Sequence, residues 1–76
     1  MIHNLKILPV FFKAVANGTK TFEIRKNDRK FNVGDIIKLR EYGTSGYTGR
    51  VVTGKITFIT NFEQKDGYVV FSFIKG

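Results

Sequence analysis

The run Tyr68-Val69-Val70-Phe71-Ser72-Phe73-Ile74 is apolar on both sides of a two-residue repeat, and this limits the fold more than any other feature. Successive side chains of a strand point to opposite faces, so Val69, Phe71 and Phe73 share one face and Tyr68, Val70 and Ile74 the other. A strand apolar on both faces calls for a helix or another strand over the second. Other segments alternate more simply. His3, Leu5 and Ile7 fall on one side of His3-Asn4-Leu5-Lys6-Ile7-Leu8, with Asn4 and Lys6 on the other, as in a half-buried strand.

Pro9 suits the first turn of a helix through Asn17, and Gly18 supplies the residue type that commonly ends one. Phe11, Phe12, Val15 and Ala16 have the spacing of one buried helical stripe. Further strands are expected at Thr21 to Arg25, Ile36 to Tyr42 and Arg50 to Thr60. Turns are expected at Lys26 to Lys30, Val33-Gly34-Asp35 and Gln64 to Gly67, and a flexible loop where Gly43, Gly46 and Gly49 flank Tyr47. Gly54 within the fourth strand suggests a bend or bulge. The aromatics Phe11, Phe12, Phe22, Phe58, Phe71 and Phe73 are assigned to packing. With 76 residues, one domain spanning 1–76 is expected, mainly β (α+β): a small, partly closed barrel of about five strands with one or two short helices.

Gly18-Thr19-Lys20-Thr21-Phe22-Glu23-Ile24-Arg25 sets one carboxylate between two cations where the helix feeds a strand. Simple alternation places Phe22 and Ile24 in the core and lets Glu23 and Arg25 emerge side by side, with Lys20 leaning over the same face. Such a platform suits an anionic or strongly hydrogen-bonding ligand; a surface ion pair is the bland alternative. The formal charge of +7 points to a polyanionic partner, nucleic acid before membrane, because no basic amphipathic helix is visible. The chain has no cysteine and one histidine, so a thiolate nucleophile, a disulfide and a protein-held metal are not expected, and neither is a cofactor. Without an N-terminal apolar run or a long hydrophobic stretch, neither a signal peptide nor a membrane span is expected, and the chain is read as cytoplasmic. His3 reads as a core histidine satisfied by a hydrogen bond.

The order strand, short helix, Gly18-x-Lys20-x-x-Glu23-x-Arg25 and then strand after strand resembles the ASCH domains of the PUA-like superfamily. The match is nearest to a small branch in bacteria and their phages. There His3-x-Leu5-Lys6-Ile7 opens the chain, Asn27-Asp28-Arg29 and Val33-Gly34-Asp35 follow the motif, and Gly46-Tyr47-Thr48-Gly49-Arg50 precedes a long strand. The resemblance implies a β-barrel with a cleft beside the first helix, a role in RNA binding and, in a few relatives, hydrolysis of acetylated cytidine. Those hydrolases carry a lysine at the place of Lys20 but a threonine nucleophile where this chain has Glu23, so fold transfers better than activity.

The expected function is therefore binding of RNA or a nucleotide in a charged cleft bordered by Lys20, Glu23 and Arg25. Arg25 offers a planar fork to phosphate or a base edge, and Lys20 a point charge. Lys26, Arg29 and Lys30 form a basic run along the nucleic-acid backbone, which Lys38 and Arg40 could extend. Tyr47 is placed to stack on an unpaired base, and Arg50 is taken as a further RNA-binding residue. The rival class is a small amidohydrolase on a modified nucleoside, with Lys20 and Glu23 at its polar centre; a module for a protein partner is a third.

Overall fold

The computed structural model describes residues 1–76. The elements are β1 (Ile2–Ile7), α1 (Pro9–Ala16), β2 (Phe22–Lys26), β3 (Ile36–Gly43), β4 (Gly46–Thr60) and β5 (Tyr68–Lys75). They form one five-stranded mixed sheet in the order β1-β3-β4-β5-β2, with β1 parallel to β3 and the remaining pairs antiparallel. The sheet curls into a half-barrel whose two edge strands, β1 and β2, come together at one seam. There the Arg25 guanidinium donates to the Lys6 carbonyl at 2.6 Å. The mainly β fold with one early helix is as expected from the sequence.

Side chains pointing into the curl build a single apolar cluster, in which Ile37, Leu39 and Phe71 have no exposed surface. The helix adds Phe12 and Val15 to it. Phe31, from the connection after β2, also enters the core. The carbonyl of Ala16 at the helix end accepts from the Lys75 ammonium at 2.6 Å. Gly18 then takes φ +84°, and the chain turns directly into β2.

Several residues depart from the expected pattern, each for a physical reason. In β2 the phase is inverted: Glu23 is 5 % exposed, whereas Phe22 and Ile24 are 43 % and 53 % exposed. Pairing with β5 fixes this, because Glu23 stands opposite Phe71 and Arg25 opposite Val69, both inward, while Phe22 stands opposite Ser72. Phe58 lies 63 % exposed because Thr57 is an extra residue between the pairs Ile56 with Phe73 and Phe58 with Ser72. That bulge shifts the alternation by one, so Ile59 packs on the core instead. Phe11 is exposed on the helix flank, while Phe12 and Val15 are buried. The second face of β5 is uncovered, with Ile74 exposed and Tyr68 and Val70 half-buried.

The segment from Gly43 to Gly49 is a hairpin and not a flexible loop. Gly43 pairs with Gly46 around Thr44 and Ser45, and Tyr42 pairs with Tyr47. Between that pair and Arg40 with Val51, the three residues Thr48, Gly49 and Arg50 oppose Glu41 alone, and Gly49 absorbs the excess at φ +92°. Gly54 is required for closeness: a Cβ there would stand 2.8 Å from Phe73 Cδ2.

Candidate functional site

Because α1 ends at Ala16 and Gly18 turns the chain two residues before Lys20, and because β5 turns Glu23 inward, the motif closes on itself. Lys20 Nζ donates to Glu23 Oε1 at 2.7 Å and to the Phe22 carbonyl at 2.6 Å. Its ammonium also lies over two rings, 4.8 Å from the centroid of Phe22 and 5.7 Å from that of Phe11. Arg25 Nε donates to Glu23 Oε2 at 3.2 Å while its Nη2 spans the seam to Lys6. The expected charged platform is thus a knot in which Glu23 pairs with both Lys20 and Arg25 and is itself buried. Each carboxylate oxygen takes one bond from a cation, and a carboxylate offers about four acceptor positions, so Glu23 keeps acceptor capacity.

Two hollows meet at this knot. One, of about 310 Å³, has Lys6, Phe11, Glu23, Arg25, Lys26 and Tyr68 among its walls. The other, of about 270 Å³, is walled by Phe11, Phe22 and Ile24 and floored by Lys20 and Glu23. Phe22 and Ile24, expected in the core, are therefore walls of this cleft. Phe11, Phe22, Lys6 and Tyr68 were missed as site residues by reading the sequence. The signal for Phe22 was the strand phase, which is readable only from the partner strand.

Of the other expected residues, Lys26 reaches the first hollow at the end of β2. Arg29 and Lys30 are exposed in the connection after it and line neither hollow. Arg50 lies elsewhere, beside α1. Its Nε and Nη2 donate to Glu41 at 2.8 and 3.0 Å, and the Thr48 hydroxyl donates to the same carboxylate at 2.7 Å. The Arg50 bonds, then that of Thr48, hold the Glu41 carboxyl below its ordinary range against the opposing effect of burial. Tyr47 lies on the outer face of the β3–β4 hairpin. The structure thus brings together Lys20, Glu23, Arg25 and Lys26 and leaves Arg29, Lys30, Tyr47 and Arg50 apart from them.

His3 is buried and hydrogen-bonded to Asp35 at 2.8 Å, and lines neither hollow. That bond is the main cause holding the Asp35 carboxyl below its ordinary range, helped by the Asn32 amide and the N-terminal ammonium and opposed by burial. No three His, Cys, Asp or Glu side chains converge as a metal site would need. No helix is long and apolar enough to cross a membrane.

Residues 2–73 match the family described as Domain of unknown function (DUF3850). The chain is also 36% identical over 76 residues to a protein of Escherichia phage P2 described as "Uncharacterized 12.9 kDa protein in GpA 3′ region". That alignment covers 99% of this chain and 70% of the phage protein. The chain belongs to the DUF3850 family, and the expected kinship with phage proteins holds in this relative.

Proposed function

We propose that this DUF3850 chain binds single-stranded RNA or its nucleotides, seating one base at Glu23. The observation that carries the reading is the carboxylate itself, buried, held by Lys20 and Arg25, and still able to accept at the floor of two hollows. A fixed acceptor of this kind suits a base edge bearing an amino group, such as cytosine N4. The exposed rings of Phe11 and Phe22 offer faces for stacking. Lys6 and Lys26 stand at the margin of the larger hollow, where the sugar-phosphate would emerge. The +7 charge supplies the general attraction to phosphate.

The finer kinship, with ASCH domains of the PUA-like superfamily, is part of the same proposal. It is supported by the motif Gly18-x-Lys20-x-x-Glu23-x-Arg25, by the curled five-stranded sheet and by a cleft beside the first helix. Hydrolysis is disfavoured because Glu23 stands where the hydrolytic relatives carry a threonine nucleophile, and the chain has no cysteine to replace it.

Calorimetric titration with CMP and UMP tests the reading. A bond to a charged acceptor should favour CMP over UMP by about tenfold. Glu23→Gln should erase that preference while affinity for an RNA oligonucleotide holds or rises, since a negative charge leaves the cleft. Equal affinities in both proteins would contradict base seating. Release of acetate from acetylated cytidine, lost in Glu23→Gln, would replace the binder with the enzyme.

A further inference from the structure

We propose that the outer face of β1, β3 and the first half of β4 is a second RNA-binding surface, a stacking platform for single-stranded RNA apart from the Glu23 hollows. The register sets Lys6 beside Arg40, Asn4 beside Lys38, Lys38 beside Thr53 and Tyr42 beside Tyr47. Lys6, Lys38, Arg40, Tyr42 and Tyr47 are all exposed there, and Lys55 extends the face along β4. Tyr42 and Tyr47 meet edge to face at 4.9 Å, with Arg40 4.1 Å from the Tyr47 ring and Lys6 Nζ 4.4 Å from the Tyr42 ring. A hollow of about 250 Å³ opens beside them, lined in part by Asn4, Lys38, Arg40 and Tyr47.

Charge chooses the occupant. Glu23 and Glu41 are buried against Lys20, Arg25 and Arg50, Asp35 is buried against His3 and the N-terminal ammonium, and Asp28, Glu63 and Asp66 lie in the connections after β2 and β4. No acidic side chain stands on this face to oppose its four cations. Cations two residues apart on a strand are about 7 Å apart, which is commensurate with successive phosphates of an extended strand. Exposed ring faces beside them accept unpaired bases, whereas a duplex hides its bases in the stack. Lys6 borders both this face and the larger Glu23 hollow, so one strand can run from one to the other. The proposal rests on the RNA-binding reading for the class of ligand and not on the Glu23 hollow.

The test uses a labelled oligouridylate, whose bases lack the amino group that Glu23 would prefer, together with CMP as the probe of the hollow. Tyr47→Ala should weaken oligouridylate binding about tenfold, and Tyr47→Phe, which keeps the ring, should restore it. The double variant Lys38→Ala/Arg40→Ala should reduce the log-log salt slope by about 1.4. All three variants should bind CMP as the parent does. If both affinity and slope are unchanged, or duplex RNA binds as tightly, the platform is wrong. If CMP fails to bind while the oligouridylate pattern holds, the Glu23 hollow falls and the platform stands.

Discussion

Glu23 is a buried charge, and one of its two partners, Arg25, also closes the seam of the sheet. Removing it by Glu23→Ala strands the Lys20 and Arg25 side chains, which are 16% and 25% exposed. The expected cost is about 3 kcal/mol, read from chemical denaturation. Phe22→Ala, at a half-exposed cleft wall, should cost only about 1 kcal/mol, against about 3–5 kcal/mol for Phe71→Ala in the core. A Phe22 loss equal to that of Phe71 would restore the phase that simple alternation suggests. The sequence made the motif legible but not its orientation: Phe22 and Ile24 look more apolar than Glu23, and hydrophobicity alone turns them inward. The register with β5 overrides that preference, since Glu23 must share a face with Phe71. Lys20, Glu23 and Arg25 do converge, through a hydrogen-bonded knot.

At the scale of elements, the strands and the helix were readable because alternation and helical spacing are local properties. Bulges were not, since they exist only between partners. Thr57 turns Phe58 out of the core and Ile59 into it. The three-to-one match at Glu41 brings Thr48 and Arg50 onto one carboxylate, which made a glycine-rich loop out of what is paired strand when read alone. Gly54 illustrates the same limit, since its reason is the Phe73 ring of the neighbouring strand. Gly54→Ala should lower stability by about 1–3 kcal/mol through overpacking, although alanine restricts the unfolded chain more. An unchanged or raised midpoint in urea would show that the Phe73 ring can move aside.

For the molecule as a whole, two buried carboxylates tie stability to pH. Asp35 and Glu41 are both held below their ordinary range, so the folded chain keeps them ionised to lower pH than the unfolded chain does. Their contribution is therefore complete above the unfolded values and is lost as pH falls through the lower, folded ones. The melting temperature should be flat from neutral pH to about pH 5 and then fall below about pH 4. Asp35→Asn and Glu41→Gln should each melt lower at neutral pH and show a shallower acid decline. An acid limb unchanged in both variants would assign it to other groups.

Amide shift mapping during a CMP titration reads the seating of a base at Glu23 residue by residue. Saturable shifts should gather at Phe11, Phe22, Glu23, Ile24 and Tyr68, which wall the two hollows. Tyr42 and Tyr47, on the outer face, should stay in place. No saturable shifts at the hollow residues, or shifts confined to other surfaces, would contradict the account.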